Sequence, residues 1–234
     1  LTAEAGDLTQ QADTRLIAAR LAVAAPAGGV RLEAADNAID RVSGTARDSI
    51  AIRTAGALTL EGAGLDAASV TLRAAGDIGQ ETDALVVAGL LRAHSEAGAV
   101  RLQDPLNRIG ALGDSAAATE LLLGTEGTLR VTGAVAAPLV ALTAAEGVSQ
   151  DGGTIRAETL RAVALTGAVA LEGAGNAIGA LGDSGGATGF RLATTGALRV
   201  EGDITTSAAL SLRADDLALG LSLIHISEPT RLRR

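Results

Sequence analysis

The sequence predicts an all-β protein, a parallel β-helix or solenoid built from about three 70-residue repeats, each of about three coils. Three observations carry that prediction: a composition almost without large side chains, a repeat at fixed spacing, and apolar residues alternating with polar ones. The chain has 234 residues, 47% of them hydrophobic, yet Phe190 is its one aromatic and Cys, Met, Trp and Tyr are absent. A compact two-layer domain of this length normally uses aromatic rings as bulky filler. Small aliphatics and 30 glycines suit instead a thin cross-section in which each repeat packs only on its neighbours. All cationic side chains are Arg, 19 of them against 27 acids, for a formal net charge of -8. That balance excludes a general polyanion binder, and no nucleic-acid partner is expected.

The repeat is carried by several independent matches. AEAGDLTQ ends at Gln10, RAAGDIGQ at Gln80 and TAAEGVSQ at Gln150, steps of 70 and 70. VRLEAADNAI begins at Val30, VRLQDPLNRI at Val100 and VALEGAGNAI at Val169, steps of 70 and 69. These strings align Asn37, Asn107 and Asn176, each followed by an isoleucine expected to point inward, Ile39, Ile109 and Ile178. GALGDS occurs at Gly110–Ser115 and again at Gly179–Ser184, and the glycine pairs Gly56/Gly62, Gly127/Gly133 and Gly196/Gly202 correspond. The units run approximately 1–70, 71–140 and 141–210, and 211–220 starts a fourth.

Within each unit the strands announce themselves by period-two alternation. Val30/Leu32, Ile50/Ile52, Leu58/Leu60, Val70/Leu72, Val100/Leu102, Leu129/Val131 and Val140/Leu142 are paired inward positions. The residues between them, Arg31, Ala51, Thr59, Thr71, Arg101, Arg130 and Ala141, suit a solvated face. Leu171 and Leu212 continue the inward set in the later units. Gly, Asp, Asn and Ser separate successive strands, as turn chemistry requires. Helix is excluded because Gly recurs too often, at about 1 kcal/mol each in a helix interior. A membrane barrel needs aromatic girdles that this chain lacks, and a sandwich has no use for so long a period. A β-helix accommodates it, at about 20 to 23 residues per coil and a rise of about 4.8 Å. Nine or ten coils would make a rod of roughly 45 Å.

Residues 1–220 are therefore taken as the β-helical segment. The chain opens on Leu1 with no leader and no run long enough to span a membrane, so it reads as an interior piece of something longer. Leu221–Arg231 reads LSLIHISEPTR, which breaks the texture abruptly and matches the conceptual translation of a transposase-type sequencing adapter. Residues 221–234 are accordingly read as a non-native tail. Deleting them is expected to leave the melting transition nearly unchanged.

The combination of GD[LI]xQ, V-x-L-(x)4-N-x-I and GALGDS every 70 residues, in a chain without Cys or Lys, resembles the β-helical repeats of filamentous-haemagglutinin-like exoproteins. These are the two-partner-secretion and autotransporter-type surface proteins of Gram-negative bacteria. The resemblance covers about residues 1–220. It implies a right-handed parallel β-helix, export through an outer-membrane translocator, a secreted or cell-surface location, and roles in adhesion or biofilm. The absence of Cys fits that route, because a disulfide closed in the periplasm could block threading of an unfolded chain.

Motifs that mimic chemistry fail on context. Gly182–Gly186 spells GDSGG, the string around the nucleophile of trypsin-like proteases, but that chemistry needs a His to take the serine proton. His94, in RAHSEAG, is the one candidate outside the tail, and the equivalent turn at Gly113–Ala117 reads GDSAA. Gly62, Gly64 and Ala67 fit G-x-G-x-x-A after a strand, yet Ala68–Arg73 reads as another strand where a dinucleotide loop needs a helix. The turn acids Asp36, Asp40, Asp104, Asp114 and Asp183 read as solvated, with Asp114 and Asp183 about three coils, roughly 14 Å, apart. The three Asn are expected to hold turns by local backbone hydrogen bonds and tolerance of left-handed geometry; the paired glycines are also turn residues. No catalytic, cofactor-binding or metal residue is expected. The function expected is that of a structural shaft in a large surface adhesin or filament, joined to further coils at both ends. Contact with a host or neighbouring cell surface, glycan or protein, would lie in other parts of the protein. The alternatives are a β-helical polysaccharide lyase or hydrolase, betrayed by acids from neighbouring coils meeting in a groove, and a glycan-binding module.

Overall fold

The structure, a computed structural model, describes residues 1–220 and 224–226. Every strand pairing in it is parallel, and the described residues contain no helix. The chain winds into a β-solenoid of about 11 turns. A turn consists of three short strand segments, each hydrogen-bonded to the segment three places earlier. Arg108–Leu112, Ser115–Ala117 and Glu120–Thr125 make one such turn. Thr128–Val131, Ala134–Ala136 and Leu139–Ala144 lie on them in that order.

The core is a set of aliphatic columns. Leu58, Ile78, Val100, Leu121, Val140, Leu160, Leu181 and Val200 follow one another in register down one column. All of them are buried. The inward positions Leu32, Leu72, Leu102, Leu142 and Leu171 are buried, as are Ile39, Ile109 and Ile178. Leu212 departs from the expectation and is only partly buried. It stacks on Leu192 in the last full described turn, with no following strand in register among the described residues. Phe190 sits fully inside against Val169 and Leu210.

Register also shows how the repeat is laid on the turns. Three turns from Val30 pass through Ile50 and Val70 and end at Leu91. The repeat equivalent, Val100, lies on the next segment round. Three turns from Val100 likewise pass through Leu121 and Val140 to Leu160, and Val169 opens the segment after it. One unit is thus ten segments of about seven residues, three turns and a third, which sharpens the expected three coils. Equivalent residues of successive repeats sit on successive faces, and three repeats return to the starting face. At the spacing between paired strands this is a screw with a rise of about 16 Å per repeat and about 48 Å per full cycle.

Two glycine positions show why the turns read as they do. The strand Leu58–Ala74 takes in both the Leu58/Leu60 pair and the segment expected at Ala68–Arg73. Between them Glu61–Gly64 bulge out where the partner strand advances only from Val42 to Gly44. Gly62 therefore lies inside a strand rather than in a plain turn, with φ at +59°. Its counterparts Gly133 and Gly202 have another reason to be glycine. A Cβ on Gly133 would run into the backbone nitrogen of Asp114, and one on Gly202 into that of Asp183. Gly133→Ala should lower stability by about 1–3 kcal/mol, the cost of overpacking a tight site, in a urea titration. Gly127→Ala, with open space around its Cβ, should cost less than half of that; equal losses would contradict the packing reason. Gly56, Gly127 and Gly196 do bend the chain between strands, and of these three only Gly196 has positive φ, +77°.

The adapter-like segment falls mostly outside the described residues. Ile224–Ile226 is a strand in register with Ile204–Thr206.

Candidate functional site: buried amide clamps between turns

The residues held constant through the three repeats meet in space. Asn107 is fully buried. Its Oδ1 accepts hydrogen bonds from Gln80 Nε2 at 2.7 Å and from the Val86 backbone N–H at 2.8 Å. Its Nδ2 donates to Gln80 Oε1, Leu102 O and Gly124 O, each at 3.2 Å. An amide side chain offers two donors and one two-lone-pair acceptor, so Asn107 is saturated. The main-chain oxygen of the same Asn accepts from Thr125 Oγ1 at 2.9 Å, and Thr125 Oγ1 accepts from Ile109 N–H at 3.0 Å.

The other repeats reproduce the arrangement. Asn37 pairs face to face with Gln10, at 2.8 and 2.9 Å, and Asn176 with Gln150, at 2.8 and 2.9 Å. Asn37 also receives Leu16 N–H and Asn176 receives Ile155 N–H, both at 2.9 Å. Thr54 and Thr194 donate to Asn37 O and Asn176 O. Gln lies one turn before the Asn and Thr one turn after it, so each triad staples three consecutive turns. Because the repeat advances a third of a turn, the triads occupy three corners of the rod in succession.

The expected local backbone bond is present in each unit, from the Asn Nδ2 to the carbonyl five residues earlier, Leu32, Leu102 and Leu171; the expected left-handed geometry is not. None of the three has positive φ; the left-handed residues of the corner are Asp13, Asp83 and Gly152, in the loop that follows each Gln. The third of these loops is one residue shorter, since Gln80 is followed six residues later by Val86 and Gln150 five residues later by Ile155. That explains the step of 69. The sequence marks the Gln as part of the repeat, without pairing it to the Asn or to the Thr. The usable signal was three polar residues recurring at fixed separations, 27, 27 and 26 from Gln to Asn, then 17, 18 and 18 to Thr.

The turn acids and serines serve the same end. Asp114 Oδ1 accepts from Ala134 N–H at 2.9 Å and Asp183 Oδ1 from Asp203 N–H at 3.0 Å, each reaching the next turn. Asp114 and Asp183 lie three turns and one face apart, so they do not share a side of the rod. Asp104 Oδ1 accepts from Leu106 N–H in its own loop, and Asp36 and Asp40 are exposed. Ser184, in GDSGG, is buried and its Oγ accepts from Ala162 N–H at 3.0 Å, as Ser115 Oγ does from Ala93 N–H at 3.1 Å. His94 pairs in register with Arg73 and Ala116, on other turns from Ser184. Gly62, Gly64 and Ala67 all lie within one strand, with Ala67 buried. Among the described residues no group of three His, Cys, Asp or Glu could hold a metal ion.

Residues 47–116 match a family of repeats of unknown function, DUF5649. The matched stretch is as long as one repeat and runs from the first unit into the second. No curated protein and no solved structure matches the chain.

Outside the clamps, ion pairs join neighbouring turns on the surface. Arg101 Nε donates to Glu120 at 2.6 Å, Arg108 to Glu126 at 2.9 Å and Arg191 to Glu172 at 3.0 Å. Arg41 reaches both Glu61 and Glu81. The hydrogen bond to Glu120, with Asp77 adding to it, raises the pKa of Arg101. Exposed pairs of this kind contribute little each. The amides inside carry the cross-turn specificity.

Proposed function

We propose that this chain is a shaft segment of a large secreted bacterial surface protein of the filamentous-haemagglutinin-like kind. Its role is to hold binding parts away from the cell and to make adhesive or biofilm-type contacts along its flank. The observation that carries the reading is what the repeat keeps constant. Gln, Asn and Thr recur in every unit and fasten turn to turn. The outward position after the first strand residue is Arg31, Arg101 and then Ala170, and the loop residue before each Asn changes from Asp36 to Leu106 to Gly175. A repeat that preserves only the means of continuing a rod is selected for length. The composition agrees, since a chain without Cys and with small aliphatics threads unfolded through a translocator and then winds without disulfides.

In this reading the partners are an outer-membrane translocator during export, adjoining coils at both ends, and a host or neighbouring cell surface reached through other parts. The rod itself is not an enzyme. An antibody raised against residues 1–220 should label intact, unpermeabilised cells that express the full gene, and brief external protease should remove the label. Labelling that requires permeabilisation would overturn the assignment.

A further inference from the structure

One flank of the rod stacks its cations. Arg53, Arg73 and His94 follow one another in register on three successive turns, all at outward positions. Arg92 is exposed on the outer face of the same strand as His94, two residues earlier. Its stem lies against Gly113, with Cγ 3.0 Å from where a Cβ on that glycine would stand. The column continues in register through Ala116 and Ala136 to Arg156, which is also exposed. Around the two alanines Ala117, Ala137 and Pro138 complete a shallow apolar trough.

Many arginines of the rod are neutralised by an acid on a neighbouring turn, as Arg101 is by Glu120, Arg108 by Glu126 and Arg191 by Glu172. In the column Arg53 reaches Glu96 at 3.5 Å. Arg73, Arg92, His94 and Arg156 have no ion pair and no side-chain hydrogen bond among the described residues. Of the acids bordering the column, Asp114 Oδ1 is taken by the Ala134 N–H and Glu158 lies beside the trough. Like charges directly opposite on paired strands are destabilising, and a chain with 27 acids to 19 Arg has acids to spare. The next unit stacks Gly124, Thr143 and Val163 at the equivalent positions, so the fold itself has no need of cations there.

From this we infer that the column from Arg53 to Arg156 binds a linear polyuronate, a glycan with a carboxylate on every sugar, laid along the rod axis. Successive turns advance by about 4.8 Å, and a pyranose linked through opposite carbons advances by a closely similar step, so one sugar lies on each turn. Its carboxylates meet Arg53, Arg73 and His94 in succession. Arg73 and Arg92 have their guanidinium forks free for paired N–H donation to a carboxylate, and His94 keeps an N–H donor in either protonation state. The C–H faces of the next two sugars lie on Ala116 and Ala136, which carry nothing beyond Cβ to hold a ring off, and Arg156 takes the carboxylate beyond them. Five steps make about 24 Å, a seat for about six sugars. The net charge of the protein opposes any acidic polymer, but at 0.1 M salt charges more than about 10 Å away are largely screened, and the local cations decide. The inference rests on the surface-shaft reading only for its setting, in which glycans are what the flank meets.

The test is a fluorescence-anisotropy titration of end-labelled hexagalacturonate with the full chain in 0.1 M salt, with unlabelled oligomers as competitors. Hexagalacturonate should bind saturably, digalacturonate and hexaglutamate at least about tenfold more weakly, and neutral cellopentaose not measurably. The double variant R73Q/H94Q should weaken binding at least about tenfold with no fall in melting temperature, since neither side chain has a partner to lose. R20Q/R199Q removes two cations outside the column and should change binding less than about twofold. Ala136→Leu, on the trough floor, should weaken it several-fold by lifting the sugar ring. No saturable binding of hexagalacturonate, equal losses in the two double variants, or equal competition by cellopentaose, digalacturonate or hexaglutamate would each overturn the site. Those results would leave the shaft reading standing, because it is tested by surface labelling.

Discussion

Asn107→Asp should make the stability of this protein a steep function of pH. The wild-type Nδ2 donates to three oxygens, Gln80 Oε1, Leu102 O and Gly124 O, in a site with no exposure to water. An ionised carboxylate puts an acceptor against those three acceptors, and only the protonated acid retains a donor. Burial and the surrounding oxygens both disfavour the charge, so the folded-state pKa of the introduced acid is raised above its unfolded value of about 3.9. The folded protein then holds a proton that the unfolded chain has released. Stability is greatest below about pH 3.9 and falls as pH rises toward the folded pKa, by about 1.4 kcal/mol per pH unit, then levels off. At pH 7 the loss should be about 3–5 kcal/mol, the cost of leaving a charge buried without a partner. Asn107→Ala is the comparison. It strands Gln80 and the Val86 N–H, costs about 2–4 kcal/mol at about 1–3 kcal/mol per orphaned group, and should show no added pH dependence. Urea titrations of both variants at a series of pH values read the difference. A loss in Asn107→Asp that stays flat between pH 4 and 7 would mean the site is wet, and the clamp would not be the buried device described above.

The fold was legible because its cause is local. Val30/Leu32 or Val100/Leu102 need only one apolar face each to be read as strands, and the spacing of Gln10, Gln80 and Gln150 needs only counting. The clamps were less legible because their partners are far apart in sequence and meet through winding. Gln80 and Asn107 are 27 residues apart, and nothing local in either residue names the other. Asn37, read alone, has the chemistry of a turn residue, and turn propensity is what a single position reports. Its burial follows from the loops that wrap the corner on two successive turns, a tertiary fact. The third-of-a-turn advance was hidden for a similar reason. A period of 70 over coils of about 20 to 23 residues is close enough to three that only strand register, Val30 to Leu91 against Val100, separates the two. Gly62 was misplaced because a four-residue bulge inside one strand and a turn between two strands have the same composition.

Deleting residues 71–140 should leave a shorter, cooperatively unfolding rod, whereas deleting residues 31–91 should not. The two excisions differ by nine residues and answer different geometries. Removing 71–140 takes out one sequence unit, ten segments, and joins Val70 to Ala141. Val70 stacks on Ile50 and Val140 on Leu121, which are equivalent partners, so the junction recreates contacts the rod already makes. The Gln10–Asn37–Thr54 and Gln150–Asn176–Thr194 clamps survive, and everything beyond the junction is carried round by one face, which the screw permits. Removing 31–91 takes out three whole turns and keeps every later segment on its original face, since Val30 and Leu91 lie in one column. It nevertheless removes Asn37 and Thr54, leaves the Gln10 amide without its partners, and sets the first repeat's corner loop against turns from the second. In a solenoid each interface between neighbours carries stability, so one bad junction divides the array. The 71–140 deletion should unfold in a single transition, with the rod about 16 Å shorter by solution scattering. The 31–91 deletion should lose that transition or split it in two. If the 31–91 excision proved the more stable, whole turns rather than sequence repeats would be the unit of this fold, and the corner clamps would be incidental to it.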